Sequence, residues 1–181
     1  MIVLSLNIRG IRGTLKAASF RRLLAGTSTD LIFLQETLSD DQKAREFIHR
    51  FRPSWLSSAI NSIGNSGGLL VAWDPYVFDL TPFLTIGEIL LVGRHLETNK
   101  DLNFLNVYGP YVDRKKLWTS LVNNGLLSTP NLILGGDLNI LLSEDEHWGG
   151  TSPSELNKAF YRDLLASNNL IDVLLSSLIP T

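Results

Sequence analysis

Leu69-Leu-Val-Ala-Trp73, Ile89-Leu-Leu-Val92 and Phe104-Leu-Asn-Val-Tyr108 are three apolar runs of strand length that follow one another with no helical pattern between them. On their N-terminal side the patterns alternate. Ile2–Leu6 and Leu31–Leu34 read as strands, and Leu15, Ala18 and Leu23-Leu24 suggest a helix between them. Ser39-Asp-Asp-Gln42 has the form of a capping box, with Ala44, Phe47, Ile48 and Phe51 following at helical spacing. On the C-terminal side, Asp113 is placed to cap a helix whose inner face carries Leu117, Leu121 and Val122. Leu132–Leu134 is a further strand, and Ser152-Pro-Ser-Glu155 opens a last helix with Leu156, Phe160 and Leu164 as its stripe. A doubly wound parallel sheet would alternate throughout. Consecutive strands in the middle point instead to a mixed or antiparallel α/β arrangement.

Composition narrows the function. The chain has 181 residues, 44% hydrophobic and 19% charged, with a formal charge of −2. That suits one folded domain with a sizeable core and excludes intrinsic disorder. No apolar run reaches the roughly 20 residues of a membrane span. The opening Met1–Asn7 reads as a first strand and not as a signal peptide, so an intracellular location is expected, nucleus or cytoplasm left open. There is no cysteine, which removes disulfides, thiolate metal sites and cysteine nucleophiles. Charge is uneven: Arg9, Arg12, Lys16, Arg21 and Arg22 all precede the first acid, Asp30, and Arg114-Lys-Lys116 is a second basic cluster. Such patches can meet phosphates even on a slightly acidic chain.

Polar residues close four of the strand runs: Asn7, Glu36, Tyr108, and Asp137 with Asn139 after Gly135-Gly136. In extended chain, residues i and i+2 share a face, which would aim Asp137 and Asn139 into one cleft. The two glycines permit a sharp turn or a close approach to a neighbour. If the strands lie side by side, two carboxylates and two amides converge, a donor set suited to a hard cation such as Mg²⁺ and to phosphate oxygens.

The order of these elements resembles the endonuclease/exonuclease/phosphatase superfamily, the relatives of deoxyribonuclease I and exonuclease III. Leu-Asn7-Ile-Arg, Leu-Gln35-Glu36-Thr, Ser-Gly-Gly-Leu-Leu-Val-Ala-Trp73, Asn-Val-Tyr108-Gly-Pro and Gly-Gly-Asp137-Leu-Asn139 carry it across nearly the whole chain. Asn7-Ile-Arg-Gly-Ile11, the Asp74-Pro75 that follows Trp73, Leu117-Trp118 and Leu170-Ile-Asp172 are similar to the endonuclease domains of plant LINE-type retrotransposons. The resemblance implies a four-layer α/β sandwich of two packed mixed β-sheets with outer helices, and a Mg²⁺-dependent phosphodiester hydrolase acting on DNA, with Mn²⁺ a possible substitute. It implies no small-molecule cofactor and leaves the oligomeric state open. Glu36 would be the main metal ligand, helped by Asn7. Asp137 would orient and activate water, Asn139 and Tyr108 would contact the scissile phosphate, and Arg9 would bind substrate. Gln35 reads as a support residue. The first strand, Leu31–Leu34 and Leu132–Leu134 are expected in one sheet.

The family pattern continues with a Thr-Trp strand, a further metal-binding Asp and a Ser-Asp-His motif. The chain has none of these after Asn139, so residues 1–181 are expected to form a single domain lacking its last quarter, with doubtful activity. The three histidines do not replace them: His49 falls in a predicted helix, His95 between strands and His147 in an acidic loop. Two other readings stand beside the nuclease: a remnant that binds nucleic acid or protein without cutting, and a phosphatase of the same superfamily.

Overall fold

The computed structural model describes residues 1–64, 66–110, 113–142 and 155–173. The elements in order are β1 (Val3–Asn7), α1 (Thr14–Ala25), β2 (Leu31–Gln35), α2 (Asp41–His49), β3 (Leu56–Ile63), β4 (Ser66–Trp73), β5 (Phe78–Leu84), β6 (Glu88–His95), β7 (Lys100–Tyr108), α3 (Arg114–Asn123), a short 3-10 turn at Leu126–Ser128, β8 (Leu132–Asp137) and α4 (Glu155–Ser167). The eight strands form two mixed four-stranded sheets, β1-β2-β4-β3 and β5-β6-β7-β8. Each has a single parallel pair, β1 with β2 and β7 with β8, and is otherwise antiparallel. This is the α/β architecture of two mixed sheets flanked by helices that the sequence led us to expect.

The expectation that Leu132–Leu134 shares a sheet with the first two strands is not met. β8 pairs with β7 in the second sheet, with Tyr108 opposite Asp137, while β1 lies at the edge of the first. Three apolar residues carry no information about their hydrogen-bonding partner, so pairing here is a tertiary choice. Two strands were passed over. β3 (Leu-Ser-Ser-Ala-Ile-Asn-Ser-Ile) is too polar to stand out, and β5 contains Pro82, which is tolerated because β5 is an edge strand.

The chain divides into two compact units, Met1–Gly109 with Thr129–Leu138, and Pro110–Ser128 with Asn139–Thr181. In the first, alternation along β2 sorts its side chains. Ile32 and Leu34 join Phe20, Leu24, Phe47 and Ile48 of α1 and α2. Leu31 and Phe33 join Leu69, Val71, Phe78, Leu91 and Phe104 in the layer between the sheets. The helices differ in detail from their sequence readings. The buried face of α1 is Phe20 and Leu24 with Ala17 packed alongside, whereas Leu15 is 84% exposed. The α2 cap is Asp40 and not Ser39: Asp40 Oδ1 accepts the Lys43 backbone N–H at 2.8 Å. Gln42 bonds Glu46 instead of closing a box. A carboxylate so placed outcompetes a hydroxyl as acceptor.

In the second unit Asp113 precedes α3 in a left-handed conformation and makes no side-chain cap. Trp118 and Leu121 are the buried residues of α3, while Val122 is turned out. The Trp118 ring meets Tyr161 of α4 at 6.0 Å between centroids, and the Lys115 ammonium lies 5.0 Å from the Phe160 ring. Burial holds the Tyr161 phenol above its ordinary pKa, opposed by the nearby Arg114 charge. The start signal at Ser152–Ser154, the Leu156 side chain, His147 and the apolar run from Leu174 onward fall outside the described residues. His95 lies within β6, not between strands. No helix among the described residues is long and apolar enough to cross a membrane.

Candidate active site

Four of the expected residues meet at one end of the two sheets, all within the first unit. Asn7 ends β1, Glu36 follows β2, Tyr108 ends β7 and Asp137 ends β8. The amide Nδ2 of Asn7 donates to Glu36 Oε1 at 3.0 Å and to Asp137 Oδ2 at 2.7 Å. The Tyr108 hydroxyl donates to the same Glu36 Oε1 at 2.9 Å. Two carboxylates contributed by different sheets are thus drawn onto one neutral amide. Asn7 Oδ1 accepts the Arg9 backbone N–H at 3.2 Å, which sets the sense of the amide: nitrogen to the carboxylates, oxygen to the loop.

The loops that present these groups are wound into conformations non-glycine residues seldom adopt. Arg9, Glu36 and Leu38 have φ of 49°, 53° and 49°. Each such residue costs about 1–3 kcal/mol unless its surroundings hold it. Here they do. Gly10 N–H donates to Glu36 O at 2.7 Å, Thr37 N–H to Gly68 O at 3.1 Å and Leu38 N–H to Gly67 O at 3.2 Å. Glu36 is therefore clamped between the β1 loop and β4. Arg9 is exposed and lines, with Arg12, Leu38 and Asp40, a cleft of about 490 Å³ beside this loop. The Asp40 charge in that cleft is already matched by Lys43 Nζ at 2.7 Å.

Asn139 belongs to the second unit. β8 ends at Asp137, and Asn139 has a left-handed φ of 50°, so strand alternation does not carry through to it. Gly135-Gly136 serve close approach: a Cβ on Gly135 would stand 3.2 Å from the Phe33 ring, and one on Gly136 (φ 133°) would strike Val107 O. Sequence reasoning passes over Asn106, though a lone amide between Phe104 and Tyr108 on one strand face was a visible signal.

The donor set fits a small hard cation in kind. Glu36 Oε1 and Asp137 Oδ2, both hydrogen-bonded to one nitrogen, are closer together than the combined length of those two bonds, and Mg²⁺ typically takes one or two carboxylates and keeps several waters. Among the described residues no group of three or more His, Cys, Asp or Glu side chains comes together.

A family model for the Endonuclease/Exonuclease/phosphatase family matches residues 4–177. The chain belongs to that family. Solved structures agree on the fold. The endonuclease domain of TRAS1, a telomere-specific non-LTR retrotransposon, has a TM-score of 0.68 at 14% identity, over 99% of this chain and 75% of that one. The AP endonuclease LMAP from Leishmania major also has a TM-score of 0.68, at 13% identity over 92% and 66%. TDP2 from Caenorhabditis elegans has 0.56 at 17% identity over 77% and 47%. Matches of this kind span about half to two thirds of the first of these family structures. No curated protein matches the chain.

Proposed function

We propose that this chain is a DNA endonuclease domain of LINE-type retrotransposon origin, closest in its motifs to plant elements, built to hydrolyse phosphodiester bonds with Mg²⁺ or Mn²⁺. The observation that carries the reading is the single Asn7 amide shared by Glu36 and Asp137, with the Tyr108 hydroxyl on Glu36. Family membership and the fold likeness to a retrotransposon endonuclease domain support it. Glu36 would hold the cation. Asp137 would take the proton of the attacking water, and Asn7 and Tyr108 would keep the two carboxylates in place. Arg9, from the cleft beside the Glu36 loop, would meet a phosphate of the substrate. The cation, when bound, supplies Lewis-acid stabilisation of charge on the phosphoryl oxygens.

Among the described residues no third acidic or histidine side chain joins Glu36 and Asp137, and a site short of one well-placed donor to the phosphoryl oxygen typically loses about 10²–10³ in rate. This observation favours a second reading, in which these residues hold cation and DNA without cutting. Calorimetry should show Mn²⁺ binding that Glu36→Gln and Asp137→Asn each abolish. In Mg²⁺ the 181-residue chain should leave supercoiled plasmid at background while retarding it in a gel. Wild-type protein without measurable Mn²⁺ binding sinks the nuclease reading. Cleavage abolished by Glu36→Ala sinks the non-cutting one.

A further inference from the structure

Between the sheets, one layer in from the carboxylates, lies a pair of buried amides the mechanism does not use. Asn106 is fully buried, and Gln35 is 1% exposed. Gln35 Nε2 donates to Asn106 Oδ1 at 2.7 Å and to Ser5 Oγ at 3.3 Å. Asn106 Nδ2 crosses to the opposite sheet, reaching Leu70 O at 3.1 Å and Leu34 O at 3.4 Å. Around them pack the apolar side chains Leu31, Phe33, Leu69, Val71, Leu91 and Phe104.

Apolar burial is non-directional, so it holds the sheets together without itself fixing their alignment to the tolerance of a hydrogen bond. Hydrogen bonds have narrow distance and angle ranges and do fix it. The two amides sit where alignment matters most. Glu36 directly follows Gln35, and Gln35 pairs with Asn7 across β1 and β2. Tyr108 lies two residues beyond Asn106 on the same face, and β7 holds Tyr108 opposite Asp137, with Gly109 N–H on Asp137 O at 2.7 Å. The register of Gln35 thus sets two site residues, and that of Asn106 sets the other two.

We infer that Gln35 and Asn106 are positioning residues, a cross-sheet amide lock that holds Glu36 and Asp137 at the separation a divalent cation needs. The inference rests on the cation reading of the site, and its test separates the two. Removing a group hydrogen-bonded directly to a metal ligand typically costs about 10–100-fold in affinity, and Gln35 and Asn106 act one step further out, through the register of β2 and β7. Asn106→Leu and Gln35→Leu should therefore each weaken Mn²⁺ binding by up to about 10-fold in calorimetry. Combined, they should cost less than the sum of the two, because both remove the Gln35–Asn106 bond. In metal-free protein, hydrogen exchange of the Asn7 side-chain amide, followed by NMR, should accelerate in both variants. Leu80→Ala, which opens a cavity in the same layer on the edge strand β5, two strands from Asn106, should leave affinity and Asn7 exchange as in wild type. Wild-type affinity and exchange in Asn106→Leu overturn the lock, and so does an equal loss in Leu80→Ala. If wild type binds no Mn²⁺, the cation reading fails, and Asn7 exchange alone decides whether the lock holds. If Asn106→Leu does not fold, Gln35→Leu carries the same test from the opposite sheet.

Discussion

The two faces of the β1-β2-β4-β3 sheet are finished differently. Toward the helices, Ile32, Leu34, Leu70 and Ala72 meet Phe20, Leu24, Phe47 and Ile48 in one apolar cluster. Phe20, Phe47 and Phe51 form a triangle with ring centroids 5.2–5.3 Å apart. Toward the second sheet, the layer is equally apolar through Leu31, Phe33, Val71 and Phe104, but ends in Ser5, Gln35 and Asn106 before opening on the carboxylates. The first face supplies cohesion, which tolerates small shifts. The second also has to align groups from different sheets, and only directional bonds do that.

Phe47→Ala should have the largest effect, about 3–5 kcal/mol lost in urea unfolding, with Mn²⁺ affinity unchanged in the fraction that remains folded. Coupled loss of affinity would break the division of labour between the faces. Gly135→Ala should cost less, about 1–3 kcal/mol, since its methyl must push the Phe33 ring away. It should nonetheless weaken Mn²⁺ binding by widening the gap between the sheets. A stability loss with no change in binding would show that sheet spacing does not reach the site. Ser5→Ala removes only a long 3.3 Å acceptor from Gln35. It should cost about 0.5–1.5 kcal/mol, with a small drop in affinity in calorimetry.

The smallest effect belongs to Asp40, outside both layers. Its carboxyl is held below the ordinary 3.8, first by the Lys43 ammonium hydrogen bond and then by the Lys43 backbone N–H. With the folded pKa below the unfolded one, the stabilisation is present above about pH 3.8 and is lost as pH falls through the folded value. Melting curves of Asp40→Asn should therefore show a slightly shallower decline in Tm than wild type on acidification below pH 4, and no change in Mn²⁺ affinity at neutral pH. The same acid slope in both proteins would remove Asp40 from the account.

Much of the site was legible because strands announce themselves by apolar runs and their ends by polar residues. Asn7, Glu36, Tyr108 and Asp137 each close such a run, and four short hydrogen-bond paths connect them to one another or to the adjoining loop. Asn139 follows the same rule in sequence but leaves extended geometry at once, which no pattern of residue types records. The Ser39 cap failed for a related reason. Either Ser39 or Asp40 could cap α2, and only the path of the chain after Leu38 decides which side chain faces the Lys43 N–H.

The chain by itself determined most of the apolar strand runs, the helices between them and the polar groups that close those runs, but not the polar β3 or the proline-bearing β5, because alternation and helical spacing are properties of neighbours along the backbone. It also carried the motifs of the family to which it belongs. The tertiary structure decided that β8 joins β7 and not β1, that Pro82 lies on an edge, and that Gln35 meets Asn106 across 71 positions of sequence. Strand pairing and sheet packing satisfy backbone and buried polar groups with partners that local sequence does not name, so they are settled only when the whole core closes.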